Sequence, residues 1–419
     1  MTRKVKIVKL KASQFDNFAS SHRYRSYYQT SMYANVMSKF GYKCQFLGII
    51  NEYNKLVGAT LIIYKEVWRK YKMAYAPRGI LFNYETPEAI KEVADLLRDV
   101  LGSQNFMLLR MDPYVPLSIR DIEGNILNYN ENGSAVIDNL TSAGFKYKGE
   151  NLYFETEKPR WEALVMLQRN IEDIFQRIDK RTRNKIRKAL GNGLAVEKDP
   201  NKNINKLFQF VGKKDSKPIE FYREMVNSYE SDIEIYYVKI KTENYVINSR
   251  KNYEKEVEYN EALAERVQDL SLDEKERNEY LNKKMESDKL LTTYKNSLLR
   301  STDLLKQKPE GIIIGGAMVI KYDNAAYIFT EGVDEDYSAL NGGALLRWHL
   351  IEEYNQLGYK YVNLNAIVGD FQNKDPKVNP FIGLNESKLG YNAIVTEYIG
   401  EFDIILNNFS YNLYKKMNK

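Results

Sequence analysis

The sequence predicts an α/β (α+β) protein with two similar domains and an inserted antiparallel coiled-coil hairpin. The chain has 419 residues, enough for two or three cores at roughly 150 residues per domain. Strand and helix patterns occur twice in the same order, and a segment without glycine or proline interrupts the second copy. We expect a first domain at 1–150, a second at 151–244 and 309–400, an arm at 245–308, and a C-terminal segment, 401–419, that packs back on the body.

The first copy begins with alternating strands and ends with a helix and a further strand. Thr86 and Pro87 predict the start of the helix, because proline fits the first helical position, and Gly102 predicts its end. The predicted strands are Phe46–Ile50, Leu56–Tyr64 and, after the helix, Phe106–Arg110.

The second copy repeats this order around the arm. Its helix is expected to begin after Asn341 and to end at Gly358. Antiparallel strands followed by a helix and a strand are typical of acyltransferases of the GNAT type, so the repeat predicts two GNAT-like domains. The predicted strands are Ile233–Ile240, Gly311–Ile320, Ala325–Thr330 and Tyr359–Asn365.

The arm is predicted from apolar residues at steps of three and four among many charged residues. Ser271 and Glu274 have the spacing of a capping box, which predicts that a second helix starts there and that the chain folds back. Each helix of the hairpin would extend about 40 Å at 1.5 Å per residue.

Composition excludes several classes of protein. Hydrophobic residues are 43% and charged residues 28%, as in ordinary globular proteins. The longest apolar run, Gly311–Ile320, has about half the length of a membrane-spanning helix. Met1–Leu10 alternates cations with apolar residues, which predicts a strand rather than a signal peptide. We therefore expect a cytoplasmic protein.

Metal, disulfide and nucleophile chemistry are all disfavoured. Cys44 is the only cysteine, and the two histidines, His22 and His349, are in no metal-ligand pattern. His349 falls within a predicted helix, where packing explains it better than a role as catalytic base. We predict no metal and no cofactor.

Five motifs occur along the chain in the order Tyr75–Gly79, Arg110–Pro113, Lys180–Ala189, Ser387–Asn392 and Glu397–Gly400. Together with a helical arm in the second domain, they resemble the FemABX family of peptidoglycan interpeptide-bridge aminoacyltransferases, in its FemA-like branch. The resemblance covers essentially the whole chain. It implies two GNAT-like domains and an amine on the stem peptide that attacks an aminoacyl-tRNA ester.

This chemistry requires an unprotonated amine and stabilisation of an oxyanion, and it requires no metal. By resemblance, Lys388 is the first choice for the oxyanion or ester contact, although Ser387 and Leu389 depart from the family pattern. A solvated strand-end charge is the alternative for Lys388. Asp112 follows a predicted strand and is expected to orient or deprotonate the amine, with a structural role in the turn before Pro113 as an equal alternative.

Further residues are predicted to bind substrate. Arg78 suits a pyrophosphate or a carboxylate, with a structural ion pair as its alternative. By resemblance to family segments, the other candidates are Tyr75, Tyr33, Lys39, Lys217, Tyr222 and Tyr327.

A basic cluster is predicted to bind phosphate. Arg177–Lys188 contains seven cations and one anion, a net charge of +6 that equals the excess of the whole chain. Isoleucines from Ile171 to Ile186 predict a helix with an apolar stripe and an exposed basic face. The candidates for binding tRNA or precursor phosphate are Arg181, Arg183, Lys185, Arg187 and Lys188.

Three functions follow as hypotheses. The first is an aminoacyl-tRNA-dependent transferase that adds glycine, alanine or serine to the stem peptide of lipid II or a UDP-linked muropeptide. The second is a noncatalytic protein that binds RNA or a partner through degenerate GNAT-like sites. The third, an acyl-CoA-dependent transferase, is disfavoured because the turn before the second-domain helix lacks a full glycine pattern. Expected partners include the inner membrane face, as a peripheral contact, and further copies or related transferases.

Overall fold

The computed structural model describes residues 5–167, 170–212 and 217–417 and contains two β-sheets. The strands are β1 (Val5–Lys9), β2 (Lys43–Asn51), β3 (Leu56–Trp68), β4 (Tyr71–Ala76), β5 (Phe106–Met111), β6 (Pro116–Arg120), β7 (Ile126–Tyr129), β8 (Lys146–Tyr147), β9 (Trp161–Met166), β10 (Leu194–Lys198), β11 (Ile233–Ile240), β12 (Ile312–Tyr322), β13 (Ala325–Val333), β14 (Tyr361–Ala366), β15 (Ile394–Tyr398) and β16 (Phe402–Ile405).

Helices cover the sheets and form the arm. They are α1 (Ala12–Ser21), α2 (Ser31–Lys39), α3 (Pro87–Gly102), α4 (Glu131–Ser142), α5 (Ile171–Arg177), α6 (Lys180–Gly191), α7 (Ile204–Val211), α8 (Ile219–Tyr229), α9 (Thr242–Gln268), α10 (Glu274–Gln307), α11 (Gly342–Gln356), α12 (Ile382–Leu389) and α13 (Asn408–Met417). Within the described ranges, no helix is long and apolar enough to cross a membrane.

The first sheet has the strand order β1-β2-β3-β4-β5-β16-β8. Only the β4–β5 pair is parallel, and α3 connects the two strands, because a parallel pair needs a crossover. Alternation along β3 places Ile62 in a core with α3, whereas Leu61 and Ile63 enter a second core with Phe15 of α1.

The second sheet has the order β10-β11-β12-β13-β14-β9-β15-β6-β7. It contains the same kind of crossover, since α11 connects the parallel strands β13 and β14. Val238 packs with Leu346 of α11 on one face. Ile235 and Met318 point to the other face, into the core that holds Leu61 of the first sheet. The two sheets therefore share a core, and the predicted α/β fold class is confirmed.

The sheets also exchange segments. Strands β6 and β7, between 116 and 129, join the second sheet through β15, and β16 pairs with β5 in the first sheet. The pattern of strands along the chain carries no information on this exchange. The domain boundaries at 150 and 400 stay predictions about folding units.

The arm is a hairpin of α9 and α10, but the predicted capping box lies two residues too early. Ser271 does not cap α10, because its backbone N–H and hydroxyl bond to Asp269 Oδ1 at 2.9 and 2.6 Å. Asp273 is the N-cap: its Oδ1 accepts from Glu276 N at 2.8 Å, and Glu276 Oε2 accepts from Asp273 N at 3.2 Å.

Candidate active site

Asp112 lies where β4 and β5 end side by side. Its Oδ1 accepts hydrogen bonds from the Tyr75 hydroxyl at 2.9 Å and from Arg78 N at 2.7 Å. Its Oδ2 lies 3.6 Å from Arg78 Nη1 and has no hydrogen-bond partner among the described residues. Burial raises the pKa of the Asp112 carboxyl, although the positive charge of Arg78 opposes the shift. The parallel strands thus bring two of the predicted motifs together.

Arg78 connects this strand end to the second sheet. Its Nη2 donates to Glu162 Oε1 and to Pro159 O, both at 2.8 Å. Glu162 Oε2 in turn accepts from the Tyr114 hydroxyl at 2.9 Å and from Asn363 Nδ2 at 2.7 Å. The Arg78 side chain is only 3% exposed. This geometry fits the ion-pair alternative for Arg78, and its contact with substrate stays a prediction.

Lys388 lies on α12, and the alternative of a solvated strand-end lysine is wrong. The residue is 7% exposed, and its Nζ donates to Ala366 O at 2.8 Å. Burial lowers the pKa of Lys388 to about 8, against the raising effect of Glu331. Ala366 is opposite Glu162 in the β14–β9 pairing. Lys388 is therefore bonded to the strand beside the one that carries Glu162, and the charge of Glu162 acts on it.

Lys158 is a neighbour of the site that the sequence did not indicate. Its Nζ lies 4.2 Å from the ring centroid of Tyr28 and 5.9 Å from that of Tyr33. Burial lowers the pKa of Lys158 to about 8; Asp112 opposes this shift and Lys217 adds to it. The only signal in the sequence was a cation between Glu157 and Pro159, three residues before the strand that begins at Trp161.

The predicted tyrosines have three different environments. Tyr75 donates to Asp112, and Tyr33 is buried beside Lys158. The Tyr327 hydroxyl is 2.8 Å from that of Tyr361, at the wall of a narrow cavity that Arg78 also lines. Tyr33, Tyr75 and Tyr327 therefore lie around the candidate site.

Of the three other predicted substrate residues, Tyr222 and Lys39 lie apart from this cluster, whereas the charge of Lys217 acts on Lys158. Tyr222 is 1% exposed and packs in the shared core, with Phe208 at 5.9 Å between ring centroids. This core position favours a packing role for Tyr222 over the predicted substrate contact. Lys39 is exposed at the end of α2, and Lys217 is exposed with its Nζ 5.5 Å from the Phe221 ring.

The basic cluster occupies two helices rather than the single one predicted. Asp179 separates α5 from α6, because its Oδ1 accepts from Thr182 N at 2.9 Å and caps the second helix. Arg183 is partly buried, and its Nη1 donates to Gln176 Oε1 at 2.8 Å. The other four predicted phosphate-binding residues, Arg181, Lys185, Arg187 and Lys188, are exposed, as are Arg177 and Lys180 of the same cluster.

A cleft of about 320 Å³ lies between α6 and α12. Arg181 and Lys185 line it together with the apolar side chains of Phe371 and Leu389. Arg181 Nη1 is 3.6 Å from Glu386 Oε2 across the cleft. Helix α12 therefore contributes to this cleft and also carries Lys388. In the described part of the chain, no group of three His, Cys, Asp or Glu residues could hold a metal ion.

Known proteins resemble this chain along nearly all of its length. The sequence model of the FemAB family matches residues 10–419. Lipid II:glycine glycyltransferase of Staphylococcus epidermidis is 23% identical, with 96% of this chain and 94% of that protein aligned. Aminoacyltransferase FemA of the same species is also 23% identical, with 99% of each chain aligned.

A solved structure shows the same fold. The crystal structure of FemX superposes with a TM-score of 0.71 at 20% identity, covering 97% of this chain and 99% of that one. The predicted resemblance is confirmed by the family match. This chain belongs to the FemAB family.

Proposed function

We propose that this chain is an aminoacyltransferase that moves a small amino acid from tRNA to the stem-peptide amine of a peptidoglycan precursor. The names of its relatives support the reaction class and the lipid-linked acceptor, and they favour glycine over alanine and serine as the donor. The observation that carries the proposal is the convergence of Lys388 and Asp112 on the Arg78–Glu162 pair at the junction of the two sheets. Aminoacyl-tRNA is a cytoplasmic molecule, so the reaction requires a cytoplasmic enzyme.

In the proposed mechanism, the amine nitrogen attacks the ester carbonyl and forms the new C–N bond. The Lys388 ammonium donates to the oxygen that becomes negative. Collapse of the tetrahedral intermediate breaks the ester C–O bond, and the ribose oxygen of tRNA leaves as a hydroxyl that carries the proton lost by the amine. The bond to Ala366 O keeps the Lys388 side chain in one orientation before substrate binds.

Asp112 is proposed to take the proton of the amine. Its Oδ2 has no hydrogen-bond donor among the described residues, so it can still accept a hydrogen bond from an N–H of the incoming amine. The raised pKa of Asp112 makes the carboxylate a better proton acceptor than a solvated one. The bonds from Tyr75 and from Arg78 N fix the orientation of the carboxylate.

The basic face of α6 is proposed to contact the phosphates of tRNA. Arg181, Lys185, Arg187 and Lys188 are exposed on this helix, which borders the cleft against α12. Phosphate contacts of this kind give binding that weakens as salt rises. The same helix could serve the noncatalytic alternative, so activity is needed to separate the two functions.

The decisive experiment incubates the protein with purified lipid II and a panel of tRNAs, each charged with one amino acid. The mass of the product identifies both the reaction and the donor, and we expect glycine to give the largest yield. Deacylated tRNA and acetyl-CoA serve as controls. Product with acetyl-CoA alone would indicate the acyl-CoA hypothesis, and tRNA binding without product from any donor would indicate the noncatalytic one.

A further inference from the structure

The last turn of α12, which carries Lys388, is held by an arginine of α11. Arg347 Nη1 donates to Ser387 O at 2.8 Å, and Ser387 directly precedes Lys388 in the chain. The helical donor for this carbonyl would be Tyr391 N, which bonds to Lys388 O instead at 3.3 Å. Carbonyls at the end of a helix need such an outside donor when they are buried. Arg347 therefore supplies a bond that the helix does not, and it fixes the backbone next to Lys388.

Glu331 of β13 holds this arginine in place. Arg347 Nη2 donates to Glu331 Oε1 at 2.7 Å, and Arg347 Nε lies 2.9 and 3.0 Å from the two carboxylate oxygens. Both side chains are largely buried, at 14% exposed for Arg347 and 18% for Glu331. A guanidinium that is bound through two nitrogens keeps one orientation relative to the carboxylate. The pair therefore forms a rigid connection from β13 through α11 to the last turn of α12.

The pair also places two opposite charges close enough to act on the Lys388 ammonium. The charged groups that act on it are Glu331 of β13, Arg347 of α11 and Glu162 of β9. The two carboxylates favour the ammonium form, and the guanidinium disfavours it. Glu162 is itself bound to Arg78, so its charge is shared with another cation. Removing one member of the Glu331–Arg347 pair should therefore change the charge state of Lys388 in a direction set by the sign of the charge removed.

We propose that Glu331 and Arg347 are positioning residues for Lys388 in the proposed transfer. Neither residue contacts substrate in this scheme, because the pair acts through the last turn of α12. A lysine side chain is long and flexible, so it keeps one orientation only when its backbone and its ammonium are both held. Arg347 holds the backbone at Ser387, and Ala366 O accepts from the ammonium at 2.8 Å. The role of Lys388 in transfer rests on the proposed function, whereas its connection to the pair does not.

The test removes the two charges one at a time and then together. Trace labelling with acetic anhydride, followed by mass spectrometry, measures the pKa of Lys388 in the full chain without substrate. Glu331→Gln keeps an acceptor for Arg347 but removes the negative charge, so the pKa of Lys388 should fall by about one pH unit. Arg347→Met removes the positive charge and should raise that pKa by about as much. The double variant removes both charges and should return the pKa towards about 8.

Turnover separates the orientation of Lys388 from its charge. The alkaline decline of kcat should move to lower pH in Glu331→Gln and to higher pH in Arg347→Met, which loss of a purely structural ion pair would not produce. In the double variant the decline should lie at the wild-type pH, but kcat at pH 7 should be about tenfold lower, because the Ser387 carbonyl has lost its donor. If Arg347→Met does not fold, because Glu331 is left buried without its partner, the double variant still carries this comparison.

Asp323→Asn is the matched control. Asp323 lies in the turn before β13 and accepts from Arg25 Nη2 at 2.6 Å, so this variant breaks another ion pair beside the same strand. It should change neither the labelling of Lys388 nor turnover. An unmoved Lys388 pKa in Glu331→Gln, or wild-type kcat in the double variant, would overturn the inference while the proposed function stands, provided that the wild type makes product. The expected pKa changes in a protein that makes no product from any charged tRNA would instead overturn the proposed function alone.

Discussion

Two buried carboxylate clusters in this protein differ in how completely their hydrogen bonds are satisfied. Glu234, on the second sheet, accepts four bonds: Oε1 from Lys198 at 2.6 Å and Lys321 at 2.9 Å, and Oε2 from Tyr236 at 2.7 Å and Tyr354 at 2.8 Å. Burial alone would raise its pKa, but these bonds outweigh burial and lower the pKa of Glu234 to about 2. The carboxylate has no acceptor site left.

The Asp112 cluster is incomplete by comparison. One oxygen of Asp112 is satisfied and the other has no donor among the described residues. Burial raises the pKa of Asp112 and lowers those of Lys158 and Lys388 to about 8. Buried polar groups are usually satisfied, so an incomplete cluster at a junction of sheets indicates a place for a ligand. We therefore expect the Glu234 cluster to stabilise the fold and the Asp112 cluster to take part in the proposed reaction.

The largest expected effect is on turnover when Lys388 is removed. Lys388→Ala should lower kcat about a hundredfold to a thousandfold, as loss of an oxyanion donor does, with little change in acceptor affinity. Single-turnover kinetics with lipid II and charged tRNA measure this loss. Lys321→Ala, a lysine of the Glu234 cluster, is the control and should keep wild-type kcat. Wild-type turnover of Lys388→Ala would shift the catalytic role to Asp112.

Asp112→Asn should lower kcat by about a hundredfold, the lower end of the range for a general base. Asparagine preserves the acceptor for the Tyr75 and Arg78 bonds but cannot take a proton from the amine. The control is the melting temperature, which should change little because the shape of the side chain is kept. Silent substitutions at both Asp112 and Lys388 would favour the noncatalytic function.

Turnover should also fall at alkaline pH. The pKa of Lys388 is about 8 in the folded protein, so its ammonium form is lost as pH rises above 8. Well above pH 8, kcat should fall about tenfold for each further pH unit. Lys388→Arg stays protonated throughout this range, since the guanidinium pKa is above about 12. The decline should be absent in that variant. A decline that persists in Lys388→Arg would assign it to another group, and Lys158, whose pKa burial also lowers to about 8, is the first candidate.

The basic face of α6, outside both clusters, should affect binding rather than chemistry. Replacing Arg181, Lys185, Arg187 and Lys188 with serine should weaken tRNA binding and reduce its salt dependence. The log–log slope should fall by roughly 0.7 to 0.9 for each phosphate that the helix no longer neutralises. Affinity measured between low and moderate salt gives the slope. An unchanged slope would remove α6 from the tRNA site.

The sequence predicted most elements of this fold because their patterns are local. Ile233–Ile240 has the observed bounds of its strand, and the helix expected to end at Gly102 does so. The capping box was placed two residues early, because Ser271 and Asp273 are both good caps and only their bonds with Asp269 and Glu276 decide between them. The exchange of β6, β7 and β16 between sheets depends on long-range pairing that no local pattern records.

The candidate site was predicted only in part, because contacts between residues far apart in the chain assemble it. Asp112, Arg78 and Lys388 lie in motifs that the sequence singled out. Glu162, which binds Arg78 and is opposite Ala366, lies in an apolar strand whose pattern indicates only core packing. Lys158 is recognised as a neighbour of the site only from its contacts with Tyr28 and Tyr33, which lie more than a hundred residues away in the chain. For Tyr222, the resemblance predicted a substrate contact, whereas the side chain is packed in the core.

The smallest expected effect on activity comes from Glu234→Gln. This substitution tests whether the Glu234 cluster contributes to stability rather than to the reaction. Glutamine cannot hold two lysines and two tyrosines as a carboxylate does, so the free energy of unfolding at pH 7 should fall by about 1 to 3 kcal/mol. The pKa of Glu234 is lowered from 4.5 to about 2 on folding, so its stabilisation is fully present above pH 4.5 and is lost as pH falls towards 2. The stability gap between wild type and variant, measured by urea unfolding, should therefore narrow from pH 6 to pH 3.5, while kcat at pH 7 stays at the wild-type value. If Glu234→Gln instead lowered kcat as much as Asp112→Asn, hydrogen-bond completeness would not distinguish the structural cluster from the catalytic one.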